Sequence, residues 1–478
     1  MAISVLSAAD GSAWEARLLA DLGAEGNPHG VVIARRCVDV VDLLAMAAAG
    51  FGEAVLVSDQ LRRLDADALE RLAAERIAVV AVMEGDRDGR AADGRGGSDG
   101  AGPADGSAPA GAEAERLHGL GVRHIVSATA PAEVVAAAIR AACADVAAGP
   151  GGGPRGFAVT ASVRSLGDPL ELAPIPAQVG HGAVVAVWGP TGGPGRTTVA
   201  ATLADEIARL GVSALLIDAD VYGGGVATLL GLLDESPGIA AAARQAGNGR
   251  LDAAALAGLC WAVEPGLRVL TGLPRADRWP ELRPPALERL LGVARTIADF
   301  TVVDVGFCLE TDEELSFDTA APRRNGATLA VLDAADVVIA VGSADALGIA
   351  RLARGVEELR EAGVEAPLWI ALNRVRASAV RGEPAGELSA AVTRFAGQPP
   401  AAYLELDLPA VDAAQLAGLP VARVAPGSPF RLAVMELAAA LTGVPAGGSP
   451  RRGGRRSGAR RAGRAVAAGP GAPAAGRR

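Results

Sequence analysis

Residues 184–211, VVAVWGPTGGPGRTTVAATLADEIARLG, restrict the fold more than any other stretch of this 478-residue chain. Residues 184–188 form an unbroken apolar run suited to a strand covered on both faces. Residues 197–210 place Val199, Leu203, Ile207 and Leu210 on one helix face. Between them, Gly189-Pro190-Thr191-Gly192-Gly193-Pro194-Gly195-Arg196-Thr197-Thr198 fits G-x-x-x-x-G-[KR]-T counted from Pro190, or from Gly189 with one slack position. Such a loop needs glycine, because backbone N–H groups must turn inward and approach phosphate oxygens closely, and the next helix adds its N-terminal dipole. Strand, loop and helix in this order predict an α/β domain with an anion site at the sheet edge. A glycine-rich turn alone is common, so specificity has to come from the strands downstream of it.

Those strands supply it. Residues 214–220, ALLIDAD, read as a second strand ending in Asp218 and Asp220, two carboxylates able to hold magnesium-bound water and orient an attacking water. Residues 300–306, FTVVDVG, read as a third strand ending in Asp304, as a Walker B strand does, and residues 337–341 and 368–372 add two more, the latter running into Asn373-Arg374. GGPGRTT, LLIDAD, FTVVDVG, ALNRV and the closing AVDAAQLAGLPVARVAPGSPF together resemble the MinD/ParA family of deviant-Walker P-loop NTPases over about residues 182–444. The resemblance implies ATP and magnesium as ligands, slow hydrolysis and a nucleotide-dependent homodimer. It assigns the phosphate cradle to Gly192, Gly193 and Gly195, with Arg196 at the loop's cationic position. Thr197 would ligate magnesium and Thr198 would meet the α-phosphate. Asp218 would support the metal shell, Asp220 the attacking water and Asp304 the metal–water network, with Asn373 at the adenine-reading position.

Two departures bear on chemistry. The family's loop lysine is Arg196 here, and its signature lysine, which reaches the partner's phosphates across a sandwich dimer, is Thr191. All 45 basic residues are arginine, so arginine-biased coding accounts for Arg196 but not for Thr191. Arginine keeps the charge while changing reach and shape, and Pro194 removes one N–H from the loop. After the Walker B strand, residues 309–315, LETDEEL, read as an acidic surface loop. Arg323 and Arg324 then fall at the opening of a helix on the phosphate edge, where one of them could replace the missing charge in cis or across a dimer.

Upstream, residues 3–6, 31–34, 54–57, 78–83 and 124–126 read as strands and residues 14–22, 40–49, 66–74, 113–120 and 132–147 as helices, a pattern that predicts a doubly wound parallel sheet over residues 1–148. Order and size resemble a response-regulator receiver, giving a flavodoxin-like receiver-type domain ahead of the P-loop NTPase domain. The receiver chemistry is poorly supplied. Asp59 stands at the acceptor position, but only Asp10 lies near the first strand end, and Ser127 follows the fifth strand where a lysine belongs. An inert domain that binds a protein partner is the expectation. A degenerate receiver followed by such an ATPase resembles the CpaE/TadZ branch, which positions Tad-type pilus machinery at the cell pole.

Composition and charge narrow the alternatives. Gly85 to Gly111 holds nine glycines and reads as a flexible insertion, and residues 149–181 read as a linker. The net charge is −10, yet residues 451–478 carry nine arginines and no acid, which leaves −19 on the remainder. The tail, residues 445–478, has no apolar period and is expected to be disordered and to touch polyanions nonspecifically. That tail keeps open a partition-type ATPase on DNA, which the acidic body opposes. A synthetase on the same fold lacks a visible substrate constellation, and a nucleotide-free scaffold would retain only the fold. Only 14 residues are aromatic, too few for a single-strand stacking platform. The four cysteines and four histidines are scattered, without C-x-x-C or metal-ligand spacing. With no basic, apolar leader in the opening residues and no run of about 20 apolar residues, the expectation is a cytoplasmic protein, recruited by partners to a pole or to membrane-associated machinery.

Overall fold

The computed structural model describes residues 2–9, 12–23, 27–84, 110–148, 182–232, 238–311, 322–379 and 384–446. Apolar runs of four to eight residues form two sheets. In the first, β1 (Ile3–Ala8), β2 (Val31–Cys37), β3 (Ala54–Ser58), β4 (Ala78–Met83) and β5 (His124–Ser127) pair in the order β2-β1-β3-β4-β5, all parallel. This is the flavodoxin-like order of a receiver-type domain. Trp14, Leu18 and Leu22 of helix Ala13–Leu22 and Val135 and Ile139 of helix Ala132–Ala147 cover one face. Helices Val40–Ala48, Ala66–Ala74 and Ala110–Gly119 cover the other through Leu43, Leu72 and Leu117.

The second sheet contains β6 (Ala183–Trp188), β7 (Ala214–Ala219), β8 (Trp261–Glu264), β9 (Leu267–Leu270), β10 (Phe300–Val305), β11 (Val337–Ser343), β12 (Leu368–Val375) and β13 (Ala402–Glu405). Its order is β13-β12-β11-β6-β10-β7-β9-β8, parallel throughout except for the β8-β9 hairpin. The mostly parallel sheet explains the strand sequences: β6, β7 and β10 are buried at every position, because helices cover both faces. Helices Gly238–Gly247, Pro284–Ile297, Gly326–Ala334, Ala346–Glu361 and Pro384–Ala396 line one side. Helix Arg196–Arg209 and the C-terminal helix Pro429–Thr442 line the other. Val199, Leu203 and Ile207 recur every four residues and are fully buried. At about 1.5–3 kcal/mol for each buried aliphatic side chain, they hold the helix that carries the glycine loop.

The two units touch. Arg289 of helix Pro284–Ile297 donates to the carbonyls of Gly119 (3.2 Å) and Leu120 (2.8 Å) at the end of helix Ala110–Gly119, and Arg283 pairs with Asp67. Boundaries shift modestly from the sequence reading. β2 runs to Cys37 and β12 to Val375, so Asn373 lies inside a strand instead of just after one. The helix expected to open on Arg323 starts at Gly326, leaving Arg323 and Arg324 in the turn before it. The readings for residues 85–109, 149–181, 312–321 and 447–478 lie outside the described residues, as does Asp10.

Candidate functional site

The chain order of the second sheet turns around β6, which has β10 on one side and β11 on the other. Open α/β sheets bind ligands beyond the strand ends at such a point. The glycine loop leaves β6 there. Gly192, Gly193 and Gly195 take φ values of +107°, +63° and +97°, the region where a Cβ is strained, so their backbone geometry depends on being glycine. Gly195 also caps helix Arg196–Arg209, whose first turn carries Thr197 and Thr198. Thr191 lies exposed on the loop and Pro194 is buried beneath it.

Register brings the carboxylates together. Asp304 of β10 pairs with Asp218 of β7 and with Val187 of β6, and Asp220 follows just beyond β7. Asp218 accepts from the backbone N–H of Val226 (3.0 Å) and of Asp220 (3.2 Å). A Cβ on Gly224 or Gly272 would press on its carboxylate, so two glycines make room for it. Asp304 is fully buried, and neither of its carboxylate oxygens has a hydrogen-bond partner among the described residues. Burial, and then the neighbouring Asp218, push its carboxyl well above the ordinary range. Thr197 lies close enough to oppose that shift, without hydrogen-bond geometry, as does the charge of Arg196. Burial likewise raises Asp218, against its backbone donors.

Two facing carboxylates with one unpartnered call for a cation or water. The Thr197 hydroxyl with Asp218 and Asp304 is an all-oxygen donor set of the type magnesium takes, directly or through water. These residues fit that ion.

Arg196 is turned back on its own loop. Its Nη1 donates to the carbonyl of Gly189 (3.0 Å), its Nη2 lies 3.5 Å from Asp220 Oδ2, and its buried Nε has no partner among the described residues. Asp220 Oδ1 accepts from the N–H of Tyr222 at 2.8 Å. Asn373 braces the loop from below: its amide donates to the Pro194 carbonyl (2.8 Å) and its Oδ1 accepts from the N–H of Arg374 (2.9 Å). That second bond supports the left-handed φ of +62° at Arg374.

Arg323 and Arg324 are exposed. The Arg324 guanidinium stacks 4.2 Å from the Tyr222 ring centroid, Tyr222 lies 4.8 Å from Phe307, and Arg196 faces the other end of this aromatic pair at 6.0 Å from Phe307. The Tyr222 hydroxyl donates to Asn325 at 2.7 Å. Tyr222, Phe307, Asn325 and Arg351, whose guanidinium rests on Gly192, were not singled out by the sequence reading. Tyr222, two residues past Asp220 and one of only two tyrosines, was the most accessible signal.

In the receiver-type unit, Asp59 follows β3 and is buried, its N–H donating to the Val82 carbonyl at 3.1 Å. Burial raises its carboxyl pKa. Ser7 and Arg36 both engage the buried Glu15 (2.7 and 2.6 Å).

Residues 181–246 match the ParA family, described as NUBPL iron-transfer P-loop NTPase. A 52-residue stretch is 50% identical to the iron-sulfur cluster carrier protein of Aquifex aeolicus (strain VF5), and spans 11% of this chain and 14% of that protein. The structure is similar to that of the ParA family ATPase from Chlorobium tepidum TLS (20% identity, 54% of this chain and 98% of that one, TM-score 0.46). It is also similar to the cell division ATPase MinD of Pyrococcus furiosus (18% identity, 54% and 98%, TM-score 0.43). The family match thus falls on the strand, loop and helix that open the second sheet, which resemble those of ParA-family P-loop NTPases.

Proposed function

We propose that this chain is an ATP- and magnesium-binding positioning or assembly factor of the MinD/ParA/CpaE kind, whose nucleotide state controls homodimerisation and partner binding and whose turnover is slow. The observation that carries the reading is the left-handed glycine loop set beside a buried, unpartnered Asp304 next to Thr197. Bound magnesium would neutralise phosphate charge. Loop N–H groups and the helix N-terminus would hold the phosphate chain, Thr197 and Thr198 would contact it from the first turn, and Asp220 would orient water. Slow turnover follows from Arg196, whose head is engaged with the Gly189 carbonyl and Asp220, and from Thr191, which brings no charge. Asn373 would have to release Pro194 to read a base with the same N–H.

The receiver-type unit serves as a protein-binding module without phosphotransfer, and its place ahead of the ATPase supports a CpaE/TadZ-like role in pole, septum or Tad/Flp pilus localisation. The nine-arginine tail favours a second reading, a ParA-type partitioning ATPase that contacts DNA nonspecifically. The iron–sulfur role named for the Aquifex relative is not carried over. All four cysteines are free, and none lies within two residues of another.

The test is fluorescent ATP binding and phosphate release by the purified chain with magnesium. Thr197→Ala, which removes the loop hydroxyl beside Asp304, should weaken magnesium-dependent binding roughly tenfold or more, about 1.4 kcal/mol. No binding in either protein would replace this reading with the scaffold, and equal affinity in both would refute the magnesium role given to Thr197.

A further inference from the structure

Helix Ala346–Glu361 lies unusually close to the glycine loop, and small residues bring it there. A Cβ on Gly355 would meet the Trp188 ring at 2.6 Å and Pro190 at 3.4 Å. One on Gly342 would meet Leu352 at 2.7 Å, and one on Gly348 would run into Ser343. Asp345 fixes the start of the helix. Its Oδ1 accepts from the N–H of Gly348 at 2.9 Å and its Oδ2 from the Ser343 hydroxyl at 2.8 Å, and these two bonds hold its carboxyl below the ordinary range.

Arg351 is three residues after Gly348 and four before Gly355, so it shares the face that meets β6 and the loop. Its Nη1 rests so closely on Gly192 that a Cβ there would displace the guanidinium from this position. Gly192 is required by its φ of +107°, and its missing side chain leaves room for the guanidinium above it. Among the described residues Arg351 makes no ion pair and no hydrogen bond. Arg209, Arg295 and Arg431, by contrast, each hold a carboxylate at 2.6–2.7 Å. A partly buried guanidinium without a counter-charge, set against a glycine cradle, lacks an anion. Arginine's fork is matched to phosphate oxygens.

We infer that Arg351 is a phosphate-binding residue of this site, supplying in cis, from the helix after β11, the second cationic charge that Thr191 does not bring to the loop. The inference deepens the proposed function and rests on it. It also separates two candidates for that charge: Arg324 is committed to the Tyr222 ring, whereas Arg351 lies on the loop itself.

The experiment measures dissociation constants of a fluorescent ATP analogue with magnesium for the full chain, Arg351→Gln and Arg351→Lys, with thermal unfolding of each protein with and without ATP. Arg351→Gln should lose at least tenfold in affinity, show a shallower dependence of affinity on salt and lose most of the ATP-induced rise in melting temperature. Arg351→Lys should recover part of each. Nucleotide-free melting should match across the three. ATP affinity of Arg351→Gln equal to that of the unaltered chain would overturn the inference while leaving the proposed function intact. Equal losses in both variants accompanied by lower nucleotide-free melting would overturn it too, by making Arg351 a packing residue. If the unaltered chain binds no nucleotide, the proposed function fails and the inference with it.

Discussion

Removal of one arginine far from the loop should unfasten the helix that carries it. Arg431 of helix Pro429–Thr442 grips Glu206 of helix Arg196–Arg209 with two parallel bonds, Nε to Oε1 and Nη2 to Oε2, each 2.6 Å. Glu206 is fully buried and the Arg431 side chain is only 15% exposed. Arg431→Met keeps most of the stem and deletes the charge, stranding a carboxylate in the apolar layer between the two helices. Breaking a buried pair from one side costs about 3–5 kcal/mol, and the methionine stem brings the expectation to the lower end, about 3 kcal/mol near pH 7.5.

The loss should depend on pH in a defined direction. Burial already raises the Glu206 carboxyl, and Arg431 is the strongest influence lowering it, so the variant's folded-state value climbs further. With the folded value above the unfolded one, near 4.3 for glutamate, the penalty grows as pH rises between the two values and disappears below the unfolded value, where both states hold the proton. The deficit should therefore shrink between pH 7.5 and pH 5. Urea unfolding followed by tryptophan fluorescence at the two pH values measures it. A deficit under about 1 kcal/mol, or one of the same size at both pH values, would refute the reasoning. Arg431→Met combined with Glu206→Gln should regain much of the loss, since no buried charge is then left unpaired.

Other perturbations address the remaining groups. Incubation with small phosphodonors and magnesium should leave the mass of the chain unchanged; a stable phosphoryl adduct on Asp59 would restore an active receiver. Deleting residues 449–478 should abolish a salt-sensitive DNA or acidic-lipid interaction while ATP binding persists, and a parallel fall in ATP binding would make the tail part of the site. Arg196→Ala should weaken nucleotide binding itself. Arg324→Ala, which frees the Tyr222 ring, should lower ATP-dependent dimerisation or phosphate release by severalfold, with Arg323→Ala as its neighbour control. Dimerisation and turnover like the parent in both would make these arginines ordinary surface charges.

The central elements were legible because their signals are local. A continuous apolar run such as 184–188 has one reading once a glycine loop and an amphipathic helix come after it, and β4, helix Ala66–Ala74 and helix Ala132–Ala147 end where the pattern of apolar residues ends. The carboxylates could be listed from sequence, but their meeting depends on register, Asp304 opposite Asp218, which no single segment encodes. The hairpin Trp261–Leu270 and strand Ala402–Glu405 escaped notice because four residues hold too little periodicity to separate strand from loop. Arg351 was invisible for another reason. Its importance arises from Gly348 and Gly355, which read as helix-weakening residues in a linear pattern and act as contact surfaces in three dimensions.

The margins of the second sheet limit how copies of this protein can join. β13 and β8, its outermost strands, are four residues long, against six to eight in β6, β7, β10, β11 and β12. Each outer strand meets its neighbour through an interrupted register, at Leu372/Val375 on one side and Ala262/Glu264 on the other. A strand from another molecule would find a short, kinked ladder at either border, the form that discourages lateral pairing. Growth by adding strand to strand, as in an extended ribbon, is therefore poorly templated. The strand ends, where the glycine loop stands, are the surface that the proposed nucleotide-dependent dimer would have to use instead.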